Sequence, residues 1–482
     1  MKKNSIKLNA FLNMIKTISS ILFPLITFPY ISRVLSPKNI GKINFGSAFV
    51  NYFSLIASLG ITTYAIRECS AKRKNKNELS KVASQLFSIN IITTIISYTI
   101  MIITLLLFRN FDSYRTIIII QSTTILFTTL GCDWLNSAME DFEFITIRTI
   151  FFQVLSLLLM FIFVHRPSDY IKYVVITIFS SSGANITNIF YRKKYCKVRF
   201  TSRMNWKVHA KPIVLLFVMI LAQTIFSNAD VTMIGLIKGD TEVGYYSTAY
   251  KIENIISQVV SSLAWVIMPR MSSYFETESY EQINELLKKV FGVLVFLGFP
   301  CVAGTIVLSK EIILIIGGIE YLGSVIPLAI LMLSFFFSLF GGSFLGNMVL
   351  LPSKKEKDYM IICCVATVVN VILNLFLIPK FGAIAAAGTT AFCSFLMMII
   401  MVLIKDKRIK LDYIWVEMLS PIVGSVLIFF FCRIILLVVE SLVLRTAICI
   451  FGSIVLYFVV SLLMKNEILF ELLDKMISKI RG

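Results

Sequence analysis

The sequence predicts an all-α polytopic membrane protein of about fourteen transmembrane helices, in two six-helix lobes with an appended C-terminal pair. Three observations predict it. Hydrophobic residues make up 57% of the 482 positions and charged residues only 15%, with a mean hydropathy of +0.84; soluble domains average about 45–50% apolar and about 25% charged. The apolar residues fall in runs close to the roughly 20 that a helix needs to cross a hydrocarbon core about 30 Å thick. Basic residues gather in alternate connections between those runs. Helices, not barrel strands, follow because each run satisfies its own backbone polar groups in lipid.

Taken in order, the first six spans are expected near 9–32, 43–66, 82–108, 116–138, 144–164 and 171–190. The first opens with "MKKNSIKLNAFLNMIKT", a basic tip followed by a full-length apolar run with no small-residue cleavage site, so it reads as a span and not as a leader. Pro24 and Pro29 bend it, and Gly60 and Gly131 interrupt the second and fourth. Next comes "YRKKYCKVRFTSRMNWKVHAKP", residues 191–212, with eight basic residues and no acid. In a soluble chain with net charge +19 this would suggest a nucleic-acid arm. Here its flanks are apolar spans, so it reads as a cytoplasmic connector (191–211), and nucleic acid is excluded as a partner.

Eight more spans are expected near 212–237, 245–268, 290–309, 322–351, 359–378, 382–404, 413–438 and 446–464. Between the eighth and ninth, "YEQINELLKKV" places Ile283, Leu286, Leu287 and Val290 on one face and reads as a membrane-surface helix in a 269–289 loop. The tail "NEILFELLDKMISKIRG" reads the same way. "GSFLG", Gly342 to Gly346, is a small-residue packing surface. With the N-terminus inside, cytoplasmic segments and span ends carry 32 Lys and Arg against 11 outside, while Lys16, Lys251 and Arg433 fall within spans. The positive-inside rule therefore places both termini in the cytoplasm.

An internal repeat sets the lobe boundaries. Shifting the chain by 203 residues lays "VLSPKNIGKINFGSAF" over "IKGDTEVGYYSTAYKI", Gly41 over Gly244 and Arg67 over Arg270. Residues 1–190 then form one lobe and 212–404 the other, with the basic 191–211 connector between them. Residues 405–482 hold the appended pair of spans and a cytoplasmic tail.

Several chemistries are excluded. "GDTEVGYY" has Tyr where a nucleotide-binding loop needs Lys. His165 and His209 lie far apart with no cysteine or carboxylate at ligand spacing, so no metal site is expected. No connection is long enough to hold a catalytic domain, so the chain is not read as an enzyme. No outside loop holds a cysteine, which argues against a disulfide framework.

What remains is charge within the spans, which is costly and faces a cavity or a partner. Arg33, Arg67, Glu68 and Arg148 lie near span ends; Lys16, Asp133, Asp230, Lys251 and Glu253 lie deeper. No cofactor is expected; Asp133, Asp230 and Glu253 are candidates for H⁺ or Na⁺ coupling, with structural ion pairing to Lys16 or Lys251 as the alternative.

Four stretches then carry a resemblance. They are "FPLITFPYISRVLSPKNIGKINFGSAFVNYFSLIASLGITTYAIRE" (23–68), "CDWLNSAMEDFEFITIRTIFFQ" (132–153) with "DYIKY" (169–173), "ADVTMIGLIKGDTEVGYYSTAYKIENIISQVVSSLAWVIMPRMS" (229–272) and "NLFLIPKFGAIAAAGTT" (374–390). The chain resembles the polysaccharide-transporter, Wzx-type oligosaccharide flippases of the MOP superfamily; Asp133 is not taken as a shared feature. The resemblance implies two lobes around a hydrophilic cavity working by alternating access in a bacterial cytoplasmic membrane. It implies a cargo of undecaprenyl-diphosphate-linked glycan and, as neighbours, polymerase and other polysaccharide-assembly membrane proteins. Lys16, Arg33, Arg67, Lys251 and Arg270 are then the cations for the diphosphate. Asn13, Asn51, Tyr52, Gln223, Asn228, Tyr250 and Asn254 are the groups for sugar hydroxyls, and the appended helix pair offers a groove for the polyprenyl tail. A cation-coupled multidrug or solute antiporter of the same superfamily is the alternative.

Overall fold

The computed structural model describes residues 6–471, 473 and 474, and among these every regular element is helical. They group into two compact units, one ending at Gly244 and the other starting at Tyr245. The first contains α1 (Ile6–Val34), α2 (Pro37–Ser58), α3 (Ile61–Ala71), α4 (Lys76–Leu107), α5 (Arg115–Gly131), α6 (Asp133–Ala138), α7 (Phe142–Phe163), α8 (Tyr170–Tyr191) and α9 (Trp206–Ile237). After α10 (Asp240–Glu276), the second contains α11 (Tyr280–Val307), α12 (Ser309–Ile316), α13 (Val325–Ser338), α14 (Glu356–Phe381), α15 (Ala383–Ile404), α16 (Ile414–Val438) and α17 (Leu442–Leu463).

Local chemistry explains the breaks. Ser36 caps α2 by accepting the Asn39 N–H, with Pro37 in the first turn. Leu59 (φ 43°) and Gly60 (φ 72°) turn the chain left-handed between α2 and α3, and Cys132 (φ 51°) does so between α5 and α6. α10 bends by 53° between Ser262 and Ile267, just before Pro269, whose ring removes a hydrogen bond to the preceding turn. α13 continues as a π-helix over Leu339–Leu350, which holds Gly341, Gly342 and Gly346.

Eleven of the described helical stretches are long and apolar enough to cross a membrane, or twelve if the bent α10 is one span. Their outward faces carry large apolar side chains, such as Ile103 and Leu107 on α4, Phe151 and Ile162 on α7, and Ile372 and Phe376 on α14. Surface of that kind belongs in lipid. The chain is a multi-pass membrane protein. The expected count of fourteen is not reached by this measure. α5 has only seventeen residues before the Cys132 break, and α8 is diluted by Ser180, Ser181, Ser182, Gly183, Asn185 and Asn188.

The 269–289 segment also differs from expectation. α10 runs on to Glu276 and α11 starts at Tyr280, so only three residues connect them. Ile283, Leu287 and Val290 are fully buried in protein and do not lie on a membrane surface. Asn284 on the same helix donates to the Arg408 carbonyl (3.1 Å) and accepts the Lys410 N–H (2.9 Å). The start of the tail likewise packs inward through Ile468 and Leu469, with Glu467 bound to Lys288 (2.7 Å); residues 475–482 lie outside those described.

The basic connector is stitched down. Residues 196–205 are non-helical and run along α4. Ser80, Ser84 and Ser88 accept the backbone N–H of Lys197 (3.3 Å), Arg199 (3.1 Å) and Thr201 (2.8 Å), and Gln85 donates to the Arg203 carbonyl (3.0 Å). The registers match because two extended residues advance about 6.6 Å and four helical residues about 6 Å. Tyr195, Cys196 and Met204 bury the two ends in the core of the first unit.

The glycines that the 203-residue shift superimposes face one another. A methyl group on Gly41 would overlap the Asp240 carbonyl, and one on Gly244 would overlap the Pro37 carbonyl. The contact is reciprocal, each glycine meeting the residue four before the other.

Candidate functional site

A cavity of about 380 Å³ lies between α2 and α9 within the first unit. α2 contributes Asn51, Ser54, Leu55 and Ser58; α9 contributes Ile220, Gln223, Thr224, Ser227 and Asn228. Both sets follow i, i+3, i+4, i+7 spacing, so each is a single helical face. Asn51 donates to the Asn228 side-chain oxygen across the gap (3.2 Å), and Asn228 donates to the Thr224 carbonyl (2.9 Å). Beside it, the Tyr52 and Thr232 hydroxyls are 3.3 Å apart. The helices touch on both sides of the cavity: Gly60 backs onto Leu216, and Gly235 onto the Phe45 ring. Of the residues expected to meet sugar, Asn51, Gln223 and Asn228 line one space and Tyr52 adjoins it. Asn13 lies on α1, and its side chain is outside those described.

The other expected residues of the first unit are not part of this lining. Lys16 is half-buried on α1 and Arg33 is exposed at its end. Arg67 is exposed on α3, 3.5 Å from the Glu68 carboxylate and over the Tyr64 ring. Asp230 is buried on α9. Asp133, at the start of α6, pairs with Arg148 of α7, which also donates to the Ala184 carbonyl (2.8 Å).

In the second unit, α10 carries Tyr250, Lys251, Glu253 and Asn254, all half-buried, and Arg270, exposed. The Tyr250 ring stacks on Tyr246 at 6.1 Å, Asn254 accepts from Gln258, and Arg270 donates to the Tyr274 hydroxyl (2.8 Å). A separate apolar cavity of about 400 Å³ is lined by Phe299 and Val302 of α11, Leu333 and Phe336 of α13, and Ile422 and Phe429 of α16.

Sequence reasoning missed Ser54, Ser58, Thr224 and Ser227, although their helical spacing to the named amides was available. It also missed His209, buried between the Tyr64 hydroxyl (2.9 Å) and Gln85 (3.2 Å). Among the described residues no group of His, Cys, Asp and Glu could hold a metal ion, and the cysteines are free.

The model of the family described as polysaccharide biosynthesis protein matches residues 6–275, more than half of the chain. The chain belongs to that family. A second family model, MatE, matches residues 216–376. Curated relatives of this chain include the "Putative O-antigen transporter" of Escherichia coli (strain K12), 24% identical and covering 77% of this chain and 89% of that one. The capsular polysaccharide biosynthesis protein CapF of Staphylococcus aureus is also 24% identical, covering 77% and 91%. Among solved structures, the lipid II flippase MurJ in an inward closed conformation superimposes with a TM-score of 0.72 over 96% of this chain and 99% of that one, at 14% identity. A multidrug resistance MATE family transporter of the MOP superfamily gives 0.58 over 86% and 95%, at 12% identity. The expected MOP fold is therefore found, and the Escherichia coli relative and both solved structures are named as transporters or flippases.

Proposed function

We propose that the protein is a flippase that carries an undecaprenyl-diphosphate-linked oligosaccharide from the cytoplasmic to the outer leaflet of a bacterial cytoplasmic membrane. The observation that carries this reading is the α2–α9 cavity, a space lined by amides and hydroxyls within apolar helices of a polysaccharide biosynthesis protein. Polar side chains inside a span are costly and serve a path or a ligand; a glycan headgroup needs such a lining, and lipid does not. The names of the O-antigen and capsule relatives point the same way.

In this reading the two lobes alternate in access, Arg33, Arg67, Lys251 and Arg270 supply charge for the diphosphate, and the polyprenyl tail stays in apolar surroundings. Transport draws on a gradient, with Asp133, Asp230 or Glu253 exchanging a proton or Na⁺ for a basic partner. Both termini face the cytoplasm, and polymerase and other assembly proteins act on the exported unit. Deletion followed by mass spectrometry of lipid-linked glycans tests it: the repeat unit accumulates on its carrier inside, and surface polymer disappears. Neutral substitutions at all four cations that leave export intact at normal protein levels overturn the diphosphate assignment. The MatE match and MATE likeness favour one other reading, a cation-coupled antiporter; that reading requires drug or solute sensitivity on deletion with unchanged lipid-linked glycans.

A further inference from the structure

We propose that the α2–α9 cavity is a recognition subsite for one uncharged sugar residue of the cargo, chosen for its hydroxyl and acetamido groups and distinct from the groups that hold the diphosphate. This rests on the lipid-linked glycan reading and adds the chemical class accepted at this place.

The lining decides the class. Its polar side chains are three carboxamides, Asn51, Gln223 and Asn228, and four hydroxyls, and no ionisable side chain contributes. A carboxamide offers donors and acceptors together, and a hydroxyl offers both. Vicinal sugar hydroxyls and an acetamido group make the same mixed demand. A phosphate accepts only, so the amide oxygens would face its anionic oxygens; charge-assisted donors suit it and are missing here. A metal cation needs converging oxygens with compensating charge. An apolar drug would offer the amides no hydrogen-bond partner.

The capacity is also free. Gln223 forms no hydrogen bond among the described residues, and Asn51 forms only the one to Asn228. The volume of about 380 Å³ falls within the roughly 300–1,000 Å³ of small-molecule sites. Gly60 meets Leu216 at one end of the gap and Gly235 meets the Phe45 ring at the other, so contacts other than the lining amides flank it on both sides.

The test uses the full-length protein in nanodiscs and two probes, undecaprenyl diphosphate and undecaprenyl diphosphate bearing one N-acetylhexosamine, with affinities read by native mass spectrometry. The wild type is expected to bind the glycosylated lipid more tightly, and Asn51→Leu and Asn228→Leu to reduce the ratio of the two affinities about tenfold, the equivalent of 1.4 kcal/mol. Gln223→Leu guards against misfolding, since this side chain is exposed to the cavity and supports nothing else; it is expected to lower the ratio in the same direction. A wild type that binds both lipids equally, or a ratio that survives all three substitutions in folded protein, overturns the subsite alone. A wild type that binds neither lipid overturns the flippase reading as well.

Discussion

At Arg148, membrane burial and ion pairing oppose each other. The side chain is only 6% exposed, yet it holds Asp133, the Ala184 carbonyl and the face of the Phe144 ring. Truncating it removes the ion pair and the bond to Ala184 while leaving Asp133 partly solvated, so Arg148→Ala is expected to cost on the order of 2 kcal/mol, read as a lower melting temperature in detergent. Asp133 is 39% exposed on its side chain, and the Asp133→Asn change keeps a hydrogen-bonding group at that position, so it is expected to cost less. Both residues stood out in the sequence as charges inside spans. Their pairing did not, because the left-handed turn at Cys132 redirects α6 in a way that no span pattern encodes. Asp141 behaves differently. Burial by itself would raise its pKa, but the Tyr195 (2.5 Å) and Tyr191 (2.8 Å) hydroxyls, the Phe144 N–H and Lys194 hold it below the usual carboxylate range. A lowered folded pKa contributes stability that is present above the unfolded value near 3.9 and is lost as pH falls through the folded one. Asp141→Asn is expected to cost about 1 kcal/mol at neutral pH and to weaken the acid dependence of melting below about pH 4.

For helices, the polar stripe on α2 and α9 is legible in principle, and three of its amides stand out by their chemistry; the intervening serines and threonine carry a weaker signal, because in apolar helices such residues usually bond their own backbone. The N-terminal face of α11 shows the opposite failure. Amphipathic spacing tells that Ile283, Leu287 and Val290 share a face, but it does not tell whether lipid or protein covers that face. The Gly41–Gly244 crossing was visible as an alignment, and its meaning is steric. With the Asp240 carbonyl against one and the Pro37 carbonyl against the other, Gly41→Ala and Gly244→Ala each force the helices apart. Each is expected to cost about 1–3 kcal/mol, and the double variant less than the sum because the first separation makes room for the second. Melting of the three variants by intrinsic fluorescence checks both points.

For the molecule as a whole, hydropathy and charge alternation conveyed a polytopic helical protein, while the number of spans depended on details such as the seventeen residues of α5, too short by the same ruler that detected the rest. Orientation can be read from two exposed positions. Single cysteines at Arg199 and Lys238, introduced after replacing the native ones, are expected to be shielded from and reached by an impermeant thiol reagent added outside, respectively; the reverse pattern inverts the proposed topology. The stitched connector has a bearing on proteolysis. A protease must draw a length of backbone into its cleft, so a basic, non-helical loop should be the natural place for trypsin to divide the chain. Here the backbone groups that a protease would need are held by Ser80, Ser84, Gln85 and Ser88. Cleavage must wait for local release of the strap. The segment richest in trypsin's targets is therefore expected to be cut slowly in the native protein, and replacing the three serines with alanine to speed the cut about tenfold or more while the helices on either side stay intact.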